Sequence, residues 1–294
     1  MSGSAVLGWG GYLPPQVVTN DDLAAALGRS GAELTATTGV VRRHQVAEGL
    51  GPSDVGREAS SRALAAAGLE AGDVDLIVFA TMSPDLAFPG SGCFLQDKLG
   101  CRTIGALDVR AQCAGFLFAL ATGDQFVRAR AAERVLVVGA EVHSTAMEYA
   151  PRAAGVTPYF GDGAGAVVLG AGREPGVLAT VLHSDPTGLE RFWCEFPASR
   201  HHPARMELEH LHAGGHYYRL DAEALHAAAE PALVAVAGEA LERAGVAADQ
   251  LALAVMHYLD PRVARRAGAA LGVAPERVLA TAEQAGHVAA AGIP

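Results

Sequence analysis

The sequence predicts an α/β protein made of two related halves, each a sheet covered by helices. Three observations predict it. Strand-like and helix-like segments alternate along the chain, one helix–turn–strand unit occurs twice without a gap, and half of the residues are hydrophobic with 35 glycines, which suits tight helix-on-sheet packing. At 294 residues the chain has room for one large domain or two of ordinary size.

The repeated unit first spans residues 63–79, an alanine-rich helix stopped by Gly68, a turn around Asp73, and a strand carrying Leu76 and Val78. Residues 240–256 read the same way in register: Gly245 stops the helix and Leu253 and Val255 fall on the strand, with the strand extending over 251–256. Further on, Leu99-Gly-Cys101 precedes the apolar, β-prone run 103–109, as Leu271-Gly-Val273 precedes a strand at Val278. In the first half a helical pattern over 115–130 follows, with Phe116, Leu117, Leu120, Phe126 and Val127 at helical spacing. Two more strands, 134–139 and 163–169, complete that half. The second half ends at Pro294, where the matching helix begins, so the duplication implies that one helix and two strands are missing from its C-terminus. The division read from this is 1–171 and 172–294. Residues 184–215, with His201, His202, His210 and His212, read as a loop or lid.

Charge and cysteine content narrow the functional classes. A net charge of −10 argues against a general nucleic-acid binder. Cys93, Cys101, Cys113 and Cys194 form no CxxC pair and no metal-ligand spacing, and the lid histidines show no recurring ligand spacing, so no metal site is expected. The start lacks a basic leader, and no uninterrupted apolar stretch reaches membrane-spanning length. The expectation is a soluble, cytoplasmic protein with no membrane partner, its cysteines reduced.

The chemistry centres on Cys113, which stands where the 103–109 strand gives way to the 115–130 helix. A thiol in the first turn of a buried helix feels the positive end of the helix dipole and free backbone N–H groups, which favours the thiolate and attack on an acyl thioester. A packed core cysteine fits the same residues. The strand ends of the second half bring His257 and, in a glycine-flanked turn, His287; an imidazole beside such a thiol takes its proton or donates to a developing oxyanion.

Together with Gly8-Trp-Gly-Gly-Tyr-Leu-Pro14, Thr38-Gly-Val-Val-Arg-Arg-His44, Ala87-Phe-Pro89, the segment 108–116 and Phe160-Gly-Asp-Gly-Ala-Gly-Ala166, these residues make the chain resemble β-ketoacyl-acyl-carrier-protein synthase III, of the thiolase superfamily, over nearly its whole length. The resemblance implies a five-layered αβαβα sandwich, a homodimer, and no cofactor beyond substrates presented as phosphopantetheine thioesters on acyl carrier protein or coenzyme A. It implies that Cys113 takes an acyl group and that His257 and His287 act on a malonyl-type thioester. His287 stands where the family usually has asparagine, giving a Cys-His-His set like that of the elongating ketosynthases. Phe88 matches a residue that reaches across the dimer to the partner's acyl pocket. Arg219 and Arg262 match carrier-facing positions, Arg262 sharing one helix face with Arg265 and Arg266, although a solvated face explains three arginines equally well.

The departures matter too. The tryptophan and arginine that hold coenzyme A in the family are replaced by Glu33 and Thr37, which favours a carrier-bound primer. Without its C-terminal strands the second half leaves a strand edge open or needs a partner to cover it. The expected reaction is decarboxylative Claisen condensation in specialised fatty-acid or polyketide-type metabolism. Its rivals are acyl transfer to an oxygen, nitrogen or sulfur acceptor, and a non-catalytic partner subunit of a ketosynthase heterodimer. A degradative thiolase lacks support because no cysteine follows Cys194.

Overall fold

The computed structural model describes residues 4–172 and 176–294. Residues 1–3, part of the start read for a leader, and residues 173–175 lie outside the described residues. In chain order the elements of the first half are β1 (Ser4–Tyr12), β2 (Gln16–Thr19), α1 (Asn20–Leu27), α2 (Gly31–Thr38), β3 (Arg42–Gln45), α3 (Pro52–Ala67), β4 (Leu76–Ala80), α4 (Ser91–Leu99), β5 (Gly105–Val109), α5 (Gly115–Arg128), β6 (Arg134–Glu141) and β7 (Gly163–Ala171). After them come β8 (Phe192–Trp193), α6 (Leu208–His212), β9 (Arg219–Leu220), α7 (Ala222–Ala244), β10 (Ala254–Val255), α8 (Pro261–Ala270), β11 (Val278–Leu279) and α9 (Ala282–Ala285).

The first half is a five-stranded mixed sheet in the order β1-β7-β6-β4-β5, with β4 parallel to β5 and β6 and with β7 antiparallel to β1 and β6. Strand periodicity decides which residues meet which helices. Ile77 and Phe79 of β4, with Leu136 and Val138 of β6, pack with Val55, Ala59 and Leu64 of α3. The alternate residues Leu76, Val78, Ala80, Val135 and Val137 pack on the opposite face with Phe116, Ala119 and Val127 of α5. Because helices cover both faces, β4 is buried throughout and β6 nearly so, and both read as continuous apolar runs rather than alternating ones.

The repeat is visible in the backbone. Gly68 and Gly245 adopt nearly identical left-handed conformations, with φ of 67° and 66°, after α3 and α7. Each makes the same pair of closing bonds: Gly68 N to Ala65 O and Leu69 N to Leu64 O, against Gly245 N to Glu242 O and Val246 N to Leu241 O. The second sheet is much reduced: β10 and β11 form a two-stranded parallel pair. The strand expected over 251–256 shrinks to Ala254–Val255, and Leu253 lies half-exposed outside it. The physical reason is pairing, since β4 has a neighbour on each side and β10 has only β11.

Helix α7 is the most apolar long helix among the described residues. Over its 23 residues an 18-residue window reaches a mean hydropathy of 1.2, so by length and composition alone this helix is long and apolar enough to cross a membrane. It escapes a search for uninterrupted apolar runs because Glu223, Glu230, Glu239 and Glu242 punctuate it, and such charges are costly inside a bilayer.

The two family-like motifs at residues 38–44 and 160–166 are joined by buried polar groups. Arg43, 1 % exposed, donates to Asn20 Oδ1 and to the Pro158 and Val18 carbonyls, and burial lowers its pKa to about 10. The Asp162 carboxylate accepts from Val46 N, Ser144 N and Ser144 Oγ, while its own N–H donates to the His44 carbonyl. Asp162 thereby ties the segments after β3, after β6 and before β7 into one block. Asp162→Ala strands two backbone donors, so we expect it to lower the unfolding free energy by about 3 kcal/mol in denaturant titration, and a loss below about 1 kcal/mol contradicts this role.

Candidate active site

The nucleophile candidate sits where the sequence places it, at a strand-to-helix turn. Cys113 lies in a single 3-10 turn, Gln112–Ala114, between β5 and α5. Gln112 before it holds φ at +47°, a left-handed conformation unusual for a residue with a side chain. The turn displays the thiol toward the second half, whose strand-end residues come to meet it.

His287 is positioned by backbone pairing. It forms a parallel bridge with Phe160, its N–H donating to the Tyr159 carbonyl at 2.6 Å and its own carbonyl accepting from Gly161 N at 3.2 Å. So anchored, its Nε2 lies 3.1 Å from Cys113 Sγ. The His257 ring stacks on His287 at 4.5 Å between centroids and 10° between planes. The three residues singled out from the sequence are therefore gathered in one place. Gly292 permits this, because a Cβ there would fall 2.0 Å from the His257 ring.

Electrostatics reverse one expectation. Cys113 keeps some accessible surface, yet burial of its thiol, reinforced by the nearby Glu141 carboxylate, pushes its pKa up to about 12, with only a backbone N–H pulling the other way. Desolvation outweighs the helix end, and the resting group is a thiol rather than a favoured thiolate. Burial likewise lowers His257 to about 4. His287 is held well below the usual histidine range by burial, then by His257 and His143, with the Tyr258 carbonyl opposing. The pair is thus a neutral thiol facing a neutral imidazole, whose Nε2 lone pair is free to receive the proton.

Sequence reasoning missed two groups. Glu141, fully buried at the end of β6, accepts hydrogen bonds from Met82 N, Ser83 N, Ser83 Oγ, Thr81 Oγ1 and, at 3.4 Å, Ala290 N. It fastens the loop after β4 to the turn after His287, and burial raises its pKa to about 7 against those bonds. His143, also fully buried, lies nearly parallel to His287 at 6.5 Å. Both follow the pattern that revealed His257, polar residues at the end of an apolar strand, and that signal was present at Glu141-Val-His143.

The remaining site candidates lie farther out. Phe88 is 80 % exposed in the loop before α4 and finds no packing partner among the buried clusters. Arg219 lies over the Trp193 ring at 5.2 Å and 3.7 Å from Glu195. Arg262 is already engaged, binding Asp260 and donating to the Ala36 and Thr37 carbonyls at the C-terminal end of α2. Arg265 pairs with Glu283 and Arg266 with Glu230, so the face read as a basic patch is neutralised by carboxylates. Residues 184–215 contain two 3-10 turns, β8 and the five-residue α6. There Phe196 stacks on His210 at 4.0 Å and meets a tilted His201 ring at 4.3 Å.

A sheet wrapped by helices on both faces and carrying a thiol at a strand-to-helix turn, with two imidazoles from the second half, defines the class of cysteine-dependent condensing enzymes with the thiolase fold. Comparison with known proteins narrows this. The family model for 3-oxoacyl-(acyl-carrier-protein) synthase III matches residues 107–186. The chain is 38 % identical to a beta-ketoacyl-(acyl-carrier-protein) synthase III of Methylococcus capsulatus, over 99 % of this chain and 88 % of that one. Among solved structures it is similar to the 3-oxoacyl-(acyl carrier protein) synthase III of Pseudomonas aeruginosa PAO1, with 33 % identity, a TM-score of 0.89, and 99 % and 87 % of the two chains covered. It is also similar to the priming beta-ketosynthase of a polyketide biosynthetic pathway, at 28 % identity and a TM-score of 0.88, with 99 % and 85 % covered. The chain belongs to the β-ketoacyl-acyl-carrier-protein synthase III family.

The buried imidazoles set an acid limit. His257, at about 4, and His143, at about 3, bind fewer protons folded than unfolded, so their stabilisation is present above the ordinary histidine value of 6.5 and is lost as pH falls through the folded values. Glu141 acts in the opposite sense: its folded value of about 7 exceeds 4.5, so its contribution weakens as pH rises between those values. Imidazoles outnumber that carboxyl, and the urea midpoint is expected to drop as pH is lowered from 6.5 towards 4, less steeply in His143→Phe. A midpoint that rises on acidification over this range contradicts the neutral buried imidazoles.

Proposed function

We propose that the protein catalyses decarboxylative Claisen condensation of an acyl group carried on Cys113 with a malonyl-type thioester. The observation that carries this reading is the Cys113 Sγ to His287 Nε2 contact of 3.1 Å with His257 stacked behind it. In the first step the sulfur attacks the primer thioester carbonyl as its proton passes to His287 Nε2. The carbon–sulfur bond to the carrier then breaks, and that proton goes to the departing thiolate.

In the second step a malonyl thioester carbonyl lies against the imidazoles. Both imidazoles are neutral; His257, whose ring nitrogens have no partner among the described residues, donates an N–H to that carbonyl oxygen without adding a cation that would hold the carboxylate in place. Carbon dioxide leaves, the electron pair forms an enolate on the hydrogen-bonded oxygen, and its carbon attacks the acyl group on Cys113. The new carbon–carbon bond forms as the carbon–sulfur bond breaks, and the thiolate takes up a proton from solvent, the one proton that the decarboxylative step consumes. A neutral N–H donor on an enolate oxygen favours condensation over simple acyl transfer, and the intact Cys-His-His set favours an enzyme over a non-catalytic subunit.

The primer is proposed to arrive on acyl carrier protein. Glu33 is bound to Ser30 N and Oγ, which holds its pKa down and keeps it anionic beside the groove of about 430 Å³ lined by Arg29, Leu34 and Thr37. A carboxylate there repels nucleotide phosphates of coenzyme A. Arg219 and Arg262 are proposed to face the carrier, Arg262 with a guanidinium already fixed on α2. The exposed Phe88 is proposed to cross a homodimer interface, in a cytoplasmic enzyme without a cofactor.

Incubation with acyl thioesters is expected to add one acyl group to the wild type and none to Cys113→Ala, read by intact mass. Malonyl carrier protein then releases carbon dioxide with a β-ketoacyl product, and His257→Ala slows that release by about a hundredfold while still loading Cys113. Loading without carbon dioxide release supports plain acyl transfer, and no adduct on Cys113 supports a non-catalytic role.

A further inference from the structure

Condensation needs one thiol and two imidazoles, yet a third imidazole is packed beside them. His143 stands two residues beyond the end of β6 and is fully buried. Its ring is 5.1 Å from that of Phe160 and 5.8 Å from that of Tyr218, within the aromatic group that Phe160, Phe192 and Tyr218 form at 5.4–5.5 Å from one another. On its other contact it lies beside His287, the residue that touches the sulfur. A polar ring in such a setting must have its hydrogen bonds met.

Only one of its nitrogens is satisfied. Nδ1 lies 3.2 Å from the Tyr218 hydroxyl, while the buried Nε2 has no partner among the described residues. The two possible tautomers are not equivalent. If Tyr218 donates to Nδ1, only the Nε2 proton is stranded; if Nδ1 donates to Tyr218, both the hydroxyl proton and the Nε2 lone pair are. The first arrangement leaves fewer orphans, so His143 presents an Nε2–H donor. Burial keeps the ring neutral, with a pKa near 3. An unmet buried donor is destabilising, and a phenyl ring would fill this aromatic setting without one.

Resting on the condensing-enzyme reading, we propose that His143 is a specificity-determining residue whose Nε2–H binds an oxygen on the acyl chain held by Cys113. The primer is then a hydroxyacyl or oxoacyl group rather than a plain alkyl one. An acyl chain on the sulfur starts 3.1 Å from His287 Nε2, and the His143 ring lies 6.5 Å from that of His287, so an oxygen a few bonds along the chain comes within reach. A neutral oxygen suits the site better than a carboxylate, because one neutral donor does not offset burial of a charge. A site built around a hydrogen bond discriminates against the analogue that lacks the bonding group.

The test uses carrier-protein thioesters of equal chain length, either plain or with one hydroxyl or oxo group at each successive carbon. Competitive loading of Cys113 is read by intact mass for the wild type, His143→Phe, His143→Gln and Tyr218→Phe. The wild type is expected to prefer one oxygenated primer by about tenfold or more. His143→Phe abolishes or inverts that preference while loading the plain chain at least as well, and His143→Gln, which keeps an N–H donor, retains part of it. Tyr218→Phe, which frees the tautomer, weakens the preference without removing loading. Equal loading of all primers by the wild type, or a proportional loss for all primers in His143→Phe, overturns the proposal and leaves the condensing reading intact. Failure of every primer to load on Cys113 removes the condensing reading and this inference together.

Discussion

A neutral imidazole held 3.1 Å from a neutral thiol is the contact around which the rest of the molecule is arranged. The two groups come from opposite halves of the chain, separated by 174 residues. What joins them is a backbone bridge between Phe160 and His287, and the Phe160 turn is itself fixed by the buried Arg43 and Asp162. On the far side Glu141 binds both the loop after β4 and Ala290, three residues past His287. The signature motifs are thus largely structural: they hold the second half's imidazole over the first half's sulfur.

This arrangement has a cost and a use, both of the same physical origin. Burial raises Cys113 and Glu141 and lowers His143, His257 and His287, so none of these groups takes its charged form readily. Backbone strain adds to the cost, with Gln112 at φ +47° before Cys113 and Ala289 at φ +38° after His287, each costing on the order of 1–3 kcal/mol. In return, the imidazoles stay neutral, one able to take a thiol proton and the other to donate to a developing oxyanion. Their dipoles act in a setting where little water competes. Reactivity is created when substrate arrives, not stored as a resting thiolate.

Much of this was legible in the chain because duplication leaves marks at glycines. Gly68 and Gly245, and likewise Gly100 and Gly272, hold the same left-handed caps, which fixed the register of the halves and so the convergence of Cys113 with His257 and His287. Strand lengths in the second half were less legible, since pairing partners rather than propensity decide how far β10 extends. The thiol's ionisation was misjudged because helix position is visible in sequence while desolvation is not. Arg265 and Arg266 looked like a free basic face, but their partners Glu283 and Glu230 lie on other elements. His143 follows an apolar strand as His257 does and was open to the same reading; only its place beside His287 needed the fold.

The most direct test of the account is the ultraviolet absorbance of thiolate, measured across pH as the difference between the resting wild type and Cys113→Ser. A neutral pair predicts no thiolate signal at neutral pH and a rise only toward the strongly alkaline value of about 12. A thiolate plateau already present at neutral pH, the signature of an imidazolium–thiolate pair, contradicts it.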